Sequence, residues 1–381
     1  MRLDDDFLDA CRTEGDPEGD ALAARIFAGA AQAADDTAAP ARRMLRAFVE
    51  SDVLPDAWSP PCVREFLAAP LPKPLVPGPV IRRGEQLFAT HGPEILTALG
   101  TYSLPAAYAA NAGVKVLAQT GFLESHPTRR LVETAQMVVD VMRPGGLDPA
   151  GPGVRAARKV RLMHAAIRQL ILTRTEPRWD TAALGVPINQ EDLAGTLATF
   201  AWLPLDALRR MGVRVADADR DAYVRAWGVV GRLIGLREEL VPDGAAQAAE
   251  LSARIQARQV RPAVPNPDGR DLLRALLEMM EAKVPVRALR FGPASLMRLF
   301  LPRDVADALG VPRRPVVDLA VRAMARLVGV ANDVADATAL ERRVFRSLNL
   351  AIIQAVLDHE RGGKRAAFDL PLSLRGTWQL D

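Results

Sequence analysis

The chain is 381 residues long and 49% hydrophobic, and its 49 basic against 46 acidic side chains leave a net charge of only +3. That length buries one large core or two modest ones. Charges of both signs are scattered through the helical segments without forming a basic stripe, so nucleic-acid binding has no support. The amino terminus is acidic and lacks a basic stretch followed by an apolar one, and no apolar run approaches the roughly 20 residues of a membrane-spanning helix, so the reading is a soluble, cytoplasmic protein with no transmembrane segment.

Apolar residues recur at helical spacing almost throughout, and the 29 prolines fall largely between the helical runs as punctuation. The expected class is all-α. Residues 1–79 read as an N-terminal helical arm, Ala-rich and amphipathic from Asp20 to Val53. The arm closes with a strap, Ala69 to Pro79, in which proline removes the amides a helix would need. Residues 80–360 read as one large helical domain, and 361–381 as a C-terminal extension rich in Gly, Pro and charge. Within the domain the first predicted helices are Val80–Ala89, His91–Gly100 and Ser103–Thr120.

Two helices then carry the chemistry. The first starts at Ser125 or His126 with Pro127 in its opening turn, where a missing amide costs nothing, and stops at Arg143-Pro144-Gly145-Gly146. It places Arg130, Thr134, Met137 and Val141 on one stripe with Glu133 beside it. The second spans Val154–Thr173 and sets His164 on an apolar face with Ala157, Val160, Ile167 and Ile171. A third segment, 187–196, begins with a capping Asn189 and acidic residues in its first turn, where the helix dipole favours them. Gly195 inside it implies close approach by a neighbouring helix or a flat ligand. Further helices are expected at 219–236, 244–259, 271–283, 294–300, 303–309, 316–328 and 339–359.

Of the four histidines, His91, His126 and His359 sit at turns or helix ends, where capping or surface roles explain them. His164 does not. A neutral imidazole inside an apolar pocket, facing a small polar cluster, is what a haem protein needs as axial ligand; the bland alternative is a core histidine. Cys11 and Cys62 stand in no metal-ligand or C-x-x-C-H spacing, so a haem here is non-covalent haem b. Arg161 and Arg168, one turn either side of His164, are in range of a haem propionate. On the other helix Arg130 and Thr134 are candidate hydrogen-bond donors to dioxygen or a developing oxyanion. Glu133 is a candidate proton carrier if burial raises its pKa.

Four short stretches give this arrangement a family context: Arg-Leu-Val-Glu-Thr at 130–134, Lys-Val-Arg-Leu-Met-His at 159–164, Pro-Ile-Asn-Gln-Glu-Asp-Leu-Ala-Gly-Thr at 187–196 and Ser-Leu-Pro-Ala-Ala-Tyr at 103–108. Tyr-Val-Arg-Ala-Trp at 223–227, followed by Gly231, adds weaker support. From about Val80 to Leu309 the chain resembles the latex-clearing protein and MpaB-type oxygenase superfamily. The resemblance implies a haem-b protein with a globin-like helical core, His164 as proximal ligand, and Arg130 and Thr134 on the distal side. Two departures stand out. Rubber-cleaving members carry a lysine where this chain has Glu133, and their proposed glutamate base has no acidic counterpart in Ala112-Gly113-Val114-Lys115. Those members are also secreted, which makes extracellular rubber a poor substrate for a chain without an export signal.

The expected function is therefore a haem-dependent oxygenase that inserts oxygen into, or cleaves a C=C bond of, a small apolar substrate, with dioxygen as co-substrate. His164 binds iron, Arg130, Glu133 and Thr134 serve the reaction, and Met137 and Val141 shape the apolar side of the pocket. The alternatives are a haem-binding sensor or carrier without turnover, and a haem-free helical interaction protein.

Overall fold

Helices supply all the regular structure among the described residues of the computed structural model, namely 3–31, 61–71, 78–120, 127–173, 178–284, 290–319 and a few single positions beside them. The only bridge of strand type among them joins Ala110 to Val260. The chain is all-α. No described helix is long and apolar enough to cross a membrane. The expected helix at 339–359 and the 361–381 extension lie outside the described residues, as do 32–60 and 72–77 of the arm.

The acidic start of the arm forms a helix. In α1 (Asp5–Arg12) the Asp4 carboxylate accepts the Phe7 amide, while Leu8 and Cys11 face inward. Then come α2 (Pro17–Ala31) and α3 (Pro61–Ala68). The expected pair of helices at 80–100 is a single one, α4 (Pro79–Ala98), kinked at His91. The kink accommodates Pro93, which has no amide and whose ring would clash with an earlier carbonyl. The chain continues through a π-helical turn, Leu99–Ser103, into α5 (Leu104–Tyr108), and only after a break at 109–113 into α6 (Val114–Thr120).

Next come α7 (Pro127–Met142), α8 (Pro152–Thr173), α9 (Thr181–Leu184), α10 (Gln190–Ala201), α11 (Leu203–Arg210) and α12 (Asp217–Leu233). A 3-10 turn at Glu238–Leu240 leads to α13 (Ala245–Gln259), α14 (Pro267–Lys283), α15 (Gly292–Phe300) and α16 (Arg303–Ala308).

The largest cluster of buried apolar side chains unites α1, α4, α7, α10, α12 and α13. Because Leu8 and Cys11 belong to it, the described start of the arm shares the core of the main body. A second cluster unites the π turn, α5, α11, α14, α15 and α16. At the centre of the first, α4 and α12 cross so closely that a Cβ on Gly84 would stand 2.6 Å from the Ala222 carbonyl oxygen. Trp227 on α12 stacks on Phe200 at 5.0 Å and meets Tyr223 edge-on at 6.4 Å, so the 223–227 stretch is core packing.

Candidate functional site

The site rests on the α7–α8 hairpin. Twelve residues separate Arg130 from the end of α7 at Met142, and twelve separate the start of α8 at Pro152 from His164. At 1.5 Å of rise per residue each lies about 18 Å along its own helix from the end that flanks the connection, and the two helices pack on each other. The base of the hairpin is closed. Gly153 donates its amide to the Gly146 carbonyl at 2.9 Å, and a Cβ there would stand 2.6 Å from the Val141 Cα.

Along α7 the expected stripe divides. Glu133 is buried, with Oε2 shielded from solvent, whereas Thr134 and Met137 are half-buried. Val141, expected to line the apolar side of a pocket, is fully buried near the base of the hairpin, where its backbone abuts α8. The sequence reading missed two further polar residues on this helix. Gln136 donates to Asp140 at 2.7 Å, and both are buried, continuing the polar row that begins at Glu133. Their i, i+4 spacing was the available signal, but an identical pair on a solvated face would look the same.

On α8, His164 is half-buried between the buried Met163 and Ala165, and its Nδ1 is shielded from solvent. Its two arginine neighbours do not have their donors directed to an external carboxylate. Arg161 holds both oxygens of Asp16, at 2.6 and 2.7 Å, and Glu18 at 2.7 Å. Arg168 is buried and donates to Asp20, to the Pro187 carbonyl at 2.9 Å and to the Ile188 carbonyl at 2.8 Å. In the folded chain the carboxylates that meet them come from the loop before α2 and from the start of α2 itself. Such partners lie 143 to 148 residues away and leave no local trace in sequence.

The 187–196 segment is an ionic hub. Asn189 caps α10 by accepting the Asp192 amide at 2.9 Å, as its sequence position implies. Glu191, fully buried, receives Arg12 at 3.0 Å, Arg258 at 2.7 Å and Gln259 at 2.7 Å. Burial pushes the neighbouring Asp192 carboxyl up to about 7 even with Arg12 nearby. Ile188 is held in the left-handed region at φ 54°, strained for a β-branched residue by about 1–3 kcal/mol and compensated by the contacts around it. Gly195 faces Ile255 of α13 at 3.0 Å from a notional Cβ, so what approaches it is the neighbouring helix.

Ser103, in the π turn, donates to the Thr199 carbonyl at 2.7 Å and anchors α10. Beside it Tyr102 stacks on Phe300 at 5.5 Å and donates to Asp206 at 3.3 Å.

Among the described residues no three His, Cys, Asp or Glu side chains converge to hold a bare metal ion. A metal near His164 would have to bring its own donor set and take one more nitrogen from the chain. Haem has that requirement, and a single imidazole with one ring nitrogen enclosed by protein fits it.

Three similarities bear on this arrangement. A Rubber oxygenase of Streptomyces sp. (strain K30) is 29% identical over 250 residues, 64% of this chain but only 58% of that protein. The solved structure described as latex clearing protein LCP in the closed state shares the fold, with a TM-score of 0.71 at 24% identity and 95% of each chain covered. The profile described as "ER-bound oxygenase mpaB/B'/Rubber oxygenase, catalytic domain" matches residues 86–330, which contain the whole α7–α8 hairpin and the 187–196 hub. With most of its length so matched, the chain belongs to the MpaB and rubber oxygenase catalytic-domain family.

Proposed function

We propose that this protein is an oxygenase that carries haem b on His164 and acts, with dioxygen, on a small apolar substrate containing a C=C bond of isoprenoid type. The observation that carries the reading is the placement of Arg130 and His164 on the two packed helices α7 and α8, each twelve positions from the end that flanks the connection, inside the segment matched to an oxygenase family. The relative named a rubber oxygenase points to polyisoprene-like chemistry as the wider substrate class.

When bound, haem iron supplies the oxygen chemistry. The chain supplies everything around it. With Nδ1 enclosed by protein, His164 would hold the haem iron through Nε2. Arg130 and Thr134 are the donors that α7 contributes against negative charge developing on oxygen. Glu133 holds or moves a proton at its shielded carboxyl Oε2. Met137 adds apolar surface, and the surrounding helices exclude water. Arg161, Arg168 and Val141 have no direct part in this scheme.

The test is an absorption spectrum with a pyridine haemochrome assay on the wild type and His164→Ala. The wild type is expected to contain haem b and the variant to lose most of it; full occupancy in the variant rejects the ligand assignment. Arg130→Ala is expected to retain haem while alkene-dependent dioxygen uptake falls by about 100-fold, the scale of losing one oxyanion donor. Haem-replete wild type without any such uptake would favour a carrier or sensor.

A further inference from the structure

Two arginines bracket His164 on α8, Arg161 three residues before it and Arg168 four residues after it, each one helical turn away. Both reach residues 13–20, the loop between α1 and α2 and the first turn of α2. Arg161 grips Asp16 through two parallel hydrogen bonds, with 13% of the arginine side chain and 4% of the aspartate exposed. Arg168 joins Asp20 to the carbonyls of Pro187 and Ile188. The chain leading into α10 holds the same loop from its other side. Val186 donates to the Arg12 carbonyl and Gln190 to the Glu14 carbonyl, both at 2.9 Å, while the Gln190 side chain donates to the Gly15 carbonyl at 2.6 Å.

We propose that this loop is a clamp on α8, and that Asp16 and Arg161 are positioning residues that fix the rotation and depth of His164. A two-bond guanidinium–carboxylate pair constrains orientation as well as distance. A solvated pair would yield to side-chain motion and salt, but this one is largely withdrawn from water. The loop is in turn immobilised by backbone bonds to the 186–190 segment, so it is a fixed anchor. The 187–196 segment thereby gains a structural role, since it holds the piece that holds the histidine helix. The inference rests on the haem reading of His164 for its consequence, though not for the clamp itself.

The experiment uses the full chain as wild type, Asp16→Asn, Arg161→Lys and the conservative Asp16→Glu. Each is loaded with haemin and followed by haem transfer to apomyoglobin and by the ferric EPR spectrum. Asp16→Asn and Arg161→Lys are expected to release haem at least tenfold faster, with shifted g values, and Asp16→Glu to stay near wild type. Unchanged release and unchanged g values, alongside a lowered melting temperature, would overturn the proposal by reducing the pair to general stability. Hydrogen exchange on the haem-free chain separates the two readings. If the wild type takes up no haemin, the haem reading fails, and the clamp stands or falls on exchange at 158–168. Acceleration confined to α8 in the variants supports it, and uniform or absent acceleration overturns it. Should Asp16→Asn not fold, Arg161→Lys, which keeps the charge but loses the two-bond geometry, carries the test, and unchanged haem release with unchanged exchange at 158–168 in it overturns the clamp.

Discussion

Glu191, fully buried at the start of α10, accepts the Arg258 Nε at 2.7 Å from the last turn of α13, 67 residues further along the chain. The carboxylate also neutralises Arg12, and the guanidinium also reaches Asp5 and Asp9, so α1, α10 and α13 meet in one partly desolvated charge network.

Removing Glu191 leaves two arginines facing a buried gap. Glu191→Ala is expected to cost about 3–5 kcal/mol, the scale of breaking a buried pair from one side. Urea denaturation of the two proteins measures it, and a loss below about 1 kcal/mol would show the network to be solvated.

Gly84 permits the α4–α12 crossing. Gly84→Ala sets a methyl 2.6 Å from a backbone oxygen that has no rotamer to escape into, and overpacking of this kind costs about 1–3 kcal/mol despite the better helix propensity of alanine. A melting temperature equal to or above that of the wild type would mean that the two helices separate freely.

Asp192 makes stability depend on pH in an unusual direction. Its folded-state pKa, pushed up to about 7 chiefly by burial, exceeds the ordinary value of 3.8, so between those limits the folded chain holds a proton that the unfolded chain has lost. Its contribution therefore diminishes as pH rises from about 4 to about 7 and is constant above. Asp192→Asn is expected to gain on the wild type between pH 5 and pH 8. Denaturation midpoints at those two values check this, and an identical difference at both removes Asp192 as the cause.

Asn189 does three things with one amide: it accepts the Asp192 backbone amide and donates to the Val186 carbonyl and to Asp192 Oδ2, each at 2.9 Å. Asn189→Ala is expected to destabilise by about 2 kcal/mol, at the upper end for an N-cap because buried acceptors lose their donors as well. Asn189→Asp, which keeps the cap but places a carboxylate against Asp192 and Glu191, is expected to become more harmful as pH rises from 5 to 8. Equal stability of Asn189→Ala and wild type in chemical denaturation would contradict the role.

Features that depend on neighbours within a turn or two were legible in the order of letters. The all-α class, the α7 and α8 helices, and the Asn189 cap follow from 3.6-residue periodicity, proline placement and capping chemistry, all of which act over a few residues. Glu133 and Thr134 could be placed on their helix in the same way, but whether each faces protein or water could not. It took the folded chain to show that Arg161 and Arg168 are tied to Asp16 and Asp20, that Val141 is buried near the base of a hairpin, and that the amino-terminal helix shares the main core. The physical reason is range. A guanidinium looks the same in sequence whether its carboxylate lies one turn away or 145 residues away, and only folding, by removing both from water, turns that distant pair into a constraint.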